Sequence, residues 1–177
     1  MDKEIVAQFQ HGKYGTFMFK LCAKWTKFLR KHRWLYYLLA CTWGFIATFL
    51  GVLLTGILGI AKIFNKNIVF RKYHWIYSIS LGPDYWGGFE MGLMFVRDQK
   101  SWEALEWHEF GHTFQNCLFG PFMLFLVSIP SAIRWWYQWF RTRKGKENKA
   151  YDAMWFEDSA SCCGKYVRDY LVSDCKR

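Results

Sequence analysis

Trp107-His108-Glu109-Phe110-Gly111-His112 is the stretch on which the fold of this chain turns. Two histidines four apart lie one turn apart on the same face of a helix, so both imidazoles can reach one metal ion. Glu109, between them, sits beside that face, where a carboxylate can take a proton from water activated at the metal. H-E-x-x-H is therefore the minimum that a zinc hydrolase needs from a single helix. The competing explanation is an ordinary helix with two histidines on its polar edge. The flanking residues argue against it. Ser101 is placed to cap the helix, and Glu103 and Glu106 fall in its first turns, where the helix dipole favours negative charge. Gly111 costs about 1 kcal/mol relative to alanine inside a helix. It makes sense only if another helix or a substrate approaches closely.

Zinc held by two histidines needs a third protein ligand and an open position. Ala150 to Leu171 is the segment that can supply it. Glu157, Ala160, Ser161 and Gly164 share one helical face there, a carboxylate among three small residues. Such a face suits close packing against Gly111, with the carboxylate inserted between the helices. Glu157 is thus the expected third ligand, with Asp158 and Asp152 as competitors.

Ahead of the histidine helix, Tyr73 to Ile79 and Phe89 to Val96 are β-branched and aromatic. They are separated by the turn Leu81-Gly82-Pro83-Asp84 and the break Gly87-Gly88. These runs predict a small antiparallel element, whose exposed edge could pair with a peptide backbone. Further upstream, Leu35 to Ala61 is uncharged over 27 positions, against about 20 needed to cross a bilayer. Trp34, Tyr36 and Tyr37 mark one interface and Lys62 the other. Gly44, Gly51, Gly56 and Gly59 offer sites of close approach. Residues 34–63 are read as a transmembrane helix. Residues 1–33 are read as a basic amphipathic helix in the headgroup region, with Phe17, Leu21, Trp25 and Phe28 on one side and Lys20, Lys24, Lys27, Arg30, Lys31 and Arg33 on the other. A basic helix packed on its own domain is the alternative. Residues 64–177 form the catalytic region. Within it, the apolar stretch around 117–140 is interrupted by Gly120-Pro121 and Pro130, so it is either a short second span or a re-entrant segment. If one ion touches both His112 and Glu157, this stretch must return to the side it left, broken at Pro130.

Composition agrees with a membrane setting. Of 177 residues, 53% are hydrophobic and 21% aromatic, with 11 Trp and 17 Phe, and the formal charge is +10. The cations cluster beside apolar runs, which points to anionic lipid headgroups rather than nucleic acid as partner. The six cysteines form no C-x-x-C pair and read as mostly free thiols. Met1 to Gln10 is polar and does not read as a signal peptide. Basic residues flank both ends of the first span, so their distribution sets no orientation. A cytoplasmic-facing site in an integral membrane protein is the working expectation.

His108-Glu109-Phe110-Gly111-His112, followed by Glu157-Asp158-Ser159-Ala160, resembles gluzincin-type zinc metallopeptidases, nearest the membrane-embedded peptidases with an H-E-x-x-H…E-x-x-A-D arrangement. It is also similar to small, mostly uncharacterised bacterial membrane proteins of that kind. The resemblance covers roughly residues 75–165. It implies a mainly α membrane protein with a small antiparallel β element and a minimal zincin core of two helices. It also implies one Zn2+ on His108, His112 and Glu157, with Glu109 as the base and a protein or peptide substrate. The family places an acid after the alanine to orient a zinc histidine. This chain has Ser161 there, and Gln115 or Asp158 are the candidates to substitute. A further donor toward the substrate oxygen is expected among His74, Tyr151 and Tyr166. The alternatives are a non-enzymatic or degenerate membrane scaffold and a zinc hydrolase acting on lipid or another amide.

Overall fold

The computed structural model describes residues 13–82, 86–100, 103–148 and 153–174. Expectations for Met1 to Gln10, Pro83-Asp84, Ser101, Tyr151, Asp152 and Cys175 lie outside the described residues. In chain order the elements are α1 (Lys13–Leu29), α2 (Arg33–Cys41), α3 (Phe45–Phe64), β1 (Val69–Tyr73), β2 (Ile76–Ser80), β3 (Gly88–Met91), β4 (Met94–Arg97) and α4 (Glu103–Phe119). A 3-10 turn (Gly120–Phe122) and a π-helical segment (Leu124–Ser128) then lead into α5 (Ile129–Arg143), and α6 (Trp155–Asp174) closes the described chain.

The architecture is mostly helical around one small sheet. Its strand order is β1-β2-β4-β3, with β2 and β4 parallel and the outer pairs antiparallel. This corrects the purely antiparallel expectation. Each run expected as one strand is folded into a hairpin. Tyr73 to Ile79 breaks at His74, a non-glycine residue at φ 50°, and Phe89 to Val96 breaks at Gly92, at φ 69°. Gly92 is the ordinary choice for that conformation. His74 adopts it while its ring stacks on Trp107, centroids 4.7 Å apart, so a contact distant in sequence sets the turn.

Alternate strand residues serve two layers. Ile79, Met94 and Val96 face α3 and pack with Leu54, Leu58 and Ala61. Ile76 and Phe95 join Phe110 and Phe114 of α4 on the other face. Behind α4 lies α6, and behind α6 lies α1, whose Phe19 and Ala23 pack on Cys162 and Tyr166. The basic first helix therefore uses one side to bind its own domain, and Arg30 Nη1 donates to the Tyr166 carbonyl at 2.7 Å. Its other apolar residues, Phe17, Leu21 and Phe28, stay exposed.

Residues 34–63 are not one helix. The chain turns at Thr42–Gly44, and α2 belongs to the core: Tyr36 and Ala40 are buried, and Tyr36 Oη donates to Thr113 Oγ1 at 2.8 Å. A buried tyrosine hydroxyl needs such a partner, and lipid offers none. Gly44 permits the turn to seat, because a Cβ there would lie 2.7 Å from Asn116 Nδ2. Among the described residues, only Phe45–Phe64 is a single helix long and apolar enough to cross a membrane. Gly51 meets the Met91 carbonyl, whereas Gly56 and Gly59 have nothing within 4 Å.

The second apolar stretch bends by 114° between Glu103–Phe122 and Leu124–Arg143. The bend lies at Gly120 to Met123 and not at Pro130. Gly120 has φ 54° and rests on the Trp43 ring, so a side chain there would clash. Pro130 falls in the first turn of α5, directly after the π-helical turn Leu124–Ser128.

Candidate metal centre

Two glycines bring α4 and α6 together. A Cβ on Gly111 would lie 1.9 Å from the Ala160 carbonyl oxygen, and one on Gly164 would lie 2.0 Å from that of Trp107. Each helix thus seats its backbone on the other's glycine, and only at that separation can a glutamate of α6 reach two histidines of α4. The small-residue face expected opposite Gly111 is the face that packs.

His108, His112 and Glu157 meet there. The two Nε2 atoms are 3.1 Å apart, and Glu157 Oε2 lies 3.1 Å from His108 Nε2 and 3.5 Å from His112 Nε2. Zinc at about 2.0–2.1 Å from each ligand in a tetrahedron requires donor separations of roughly 3.3 Å, so the triangle fits. The charges ask for a cation as well. His112 Nδ1–H donates to Gln115 Oε1 at 2.7 Å, which turns its Nε2 lone pair toward Nε2 of His108 and the Glu157 carboxylate. Three electron-rich atoms converge, and a proton or a metal ion must lie among them. These three residues are the only group of this kind among the described residues, and they can hold a metal ion.

Further side chains stand behind the three. Gln115 Nε2 donates to the Phe156 carbonyl at 2.8 Å and to Ser159 Oγ at 2.7 Å, fixing the amide that orients His112. Ser161 Oγ lies 2.8 Å from His108 Nδ1, the position from which an acid would hold that ring. Asp158 does not take this role. It is buried on the α1 side of α6, where its charge acts on the thiols of Cys162 and Cys163.

Glu157 is 1% exposed, and its Oε1 has no protein partner. Burial works to raise its pKa, but hydrogen bonds from His108 and His112 outweigh that and hold the carboxyl well below the usual range. For His112 burial opposes the charged form, and the Glu157 carboxylate overcomes it, raising the imidazole to about 9. Glu109 is raised to about 8 by burial, against the pull of His112, and its Oε2 is unpartnered.

These groups line a cavity of about 840 Å³ whose other walls come from β3, the first turns of α4, and the bent segment with α5. Two carboxylates in it escaped the sequence reading: Glu90 and Asp98. Glu90 alternates with Gly88 on the side of β3 that faces α4, and burial lifts its carboxyl to about 7. The signal was the strand's period of two, hidden because Phe89 to Val96 read as one strand. Of the expected donors toward substrate, His74 stacks on Trp107 and Tyr166 lies under Lys27, whose Nζ is 4.4 Å from its ring; neither lines the cavity. All five described cysteines are free.

Comparison of the chain with protein-family models, curated proteins and solved structures returned no match.

Proposed function

We propose that this chain is a zinc-dependent, membrane-associated peptidase of the gluzincin type that hydrolyses membrane proteins or membrane-proximal peptides. The observation that carries this reading is the His108–His112–Glu157 triangle in one cavity wall, with the buried carboxylate of Glu109 beside it. Those three residues would hold Zn2+, which, when bound, polarises a carbonyl and makes water acidic enough to attack near neutral pH. Glu109 takes the proton from the attacking water. It passes that proton to the leaving amine. Gln115 and Ser161 hold the two imidazoles with Nε2 turned inward. The edge of β3 not paired with β4 borders the cavity, where an extended peptide can add as a further strand. Phe45–Phe64 supports the membrane setting by its length and apolar composition.

The test is the metal content of detergent-purified full-length protein together with peptide hydrolysis by it. The expected result is about one zinc per chain, lost in His112→Ala and Glu157→Gln. Glu109→Gln should retain zinc and lose cleavage of a mixed peptide library by roughly 10²-fold or more. No zinc in the wild type after supplementation sinks the proposal. Zinc with Glu109-dependent hydrolysis of a lipid amide, and no peptide cleavage, moves the substrate class instead.

A further inference from the structure

The cavity over the metal centre has an aromatic mouth. Phe89, Trp135 and Trp136 line it yet are 40%, 40% and 53% exposed, which places them at its rim. Two of these belong to α5, a helix with no buried residue. The same helix turns Ser131 and Ala132 toward the cavity. The wall between cavity and surroundings is therefore one helix thick, roughly 10 Å.

The outer surface of that wall carries exposed apolar side chains, with Arg134 half-buried among them: Phe125, Ile129, Ile133 and Phe140 are all 41% exposed or more. It continues past the bend. Phe122 packs against Trp43 with ring centroids 6.4 Å apart, and Trp43 lies two residues before the start of α3. At the far end of α5 the apolar face gives way to Arg141, Arg143 and Lys144, with the Arg143 guanidinium 3.8 Å above the Trp139 ring. Aliphatic residues, then tryptophan, then arginine is the order in which a bilayer presents acyl chains, interface and phosphate.

We infer that this face of α5 is seated in a bilayer containing anionic phospholipid. The mouth of the metal cavity then opens at the boundary between headgroups and acyl chains, and the cavity receives a polypeptide segment held by the bilayer. The nature of that substrate rests on the peptidase reading; the position of the mouth does not. Charge selects lipid over a second copy of the chain. The net charge is +10, so a second copy would bring like charge to this face, whereas phosphatidylglycerol brings the opposite charge.

The experiment places a benzophenone amino acid at Trp136, Phe140, Ile57 or Gln99 of the full chain. Each protein is reconstituted in vesicles of phosphatidylcholine and phosphatidylglycerol, irradiated and analysed by mass spectrometry. Phospholipid adducts are expected at Trp136 and Phe140, at yields comparable to Ile57 on α3, and none at the polar position Gln99. Lipid adducts at Ile57 alone overturn the inference. So do chain-to-chain crosslinks from Trp136 or Phe140, or the absence of lipid adducts everywhere. Repeating the irradiation in a Glu157→Gln background separates the two proposals. Lipid adducts persisting there, with no zinc in the wild type, would end the peptidase reading and leave the seated mouth standing.

Discussion

The helix that carries the histidines and the helix Phe45–Phe64 invert the usual relation between polarity and burial. Twelve of the 17 residues of α4 are buried, among them Glu106, Glu109, His112, Gln115 and Asn116. In α3, the most apolar segment of the chain, Gly51 is the one buried residue of 20. A polar helix can occupy the centre when its polar groups find partners: His112 has Gln115, Gln115 has Ser159, and Thr113 has Tyr36. The apolar helix stays outside, and by length and composition it is able to cross a membrane. The difference teaches that neighbours, not hydropathy, decide what this fold encloses.

The same substitution should split the two regions most widely. Gly111→Ala places a methyl on the Ala160 carbonyl and is expected to destabilise by about 3 kcal/mol. Gly56→Ala meets nothing within 4 Å and should stabilise by up to about 1 kcal/mol through helix propensity. Thermal unfolding in detergent reads both, and equal shifts would break the comparison. A charge tests the exposed face next. Ile57→Lys, harmless on a helix in water, should cost about 3 kcal/mol in a bilayer. It should reduce the fraction that resists alkaline extraction from membranes.

The remaining predictions sharpen the buried side. Gln115→Leu removes the acceptor that orients His112 and is expected to weaken zinc binding 10–100-fold in a competition titration. Zinc affinity should also rise with pH, by about tenfold per unit between pH 7 and 9, because the His112 proton must leave before its Nε2 can bind metal. The sign of stability follows from the same groups. His112 is raised above its ordinary 6.5, so its contribution is complete below that pH and is lost as pH climbs through about 9. Glu109, raised from 4.5 to about 8, changes stability in the same direction. The melting temperature of chelator-treated protein should therefore fall between pH 7 and 9, while that of zinc-loaded protein should hold.

The candidate metal centre was legible wherever its geometry is local. His108 and His112 are joined by one helical turn, and the face of Glu157, Ala160, Ser161 and Gly164 is set by the same periodicity. Residues placed by long-range contact were not legible. His74 gives no turn signal, so the β1–β2 hairpin read as a single strand. Glu90 gives no local sign that it faces α4. Tyr36 looked like an interfacial anchor until Thr113 proved to be its partner.

The sequence by itself determined the histidine pair, the glutamate and the small residues that let it approach, because helical periodicity repeats within a few residues. It also determined that one segment is apolar enough to cross a bilayer. Only the tertiary structure decided where the apolar run divides, which way the second stretch bends, how β2 and β4 pair, and which carboxylates share the cavity. Those outcomes depend on surfaces distant in sequence, from Tyr77 beside Met94 to Trp43 on Gly120 and Tyr36 on Thr113.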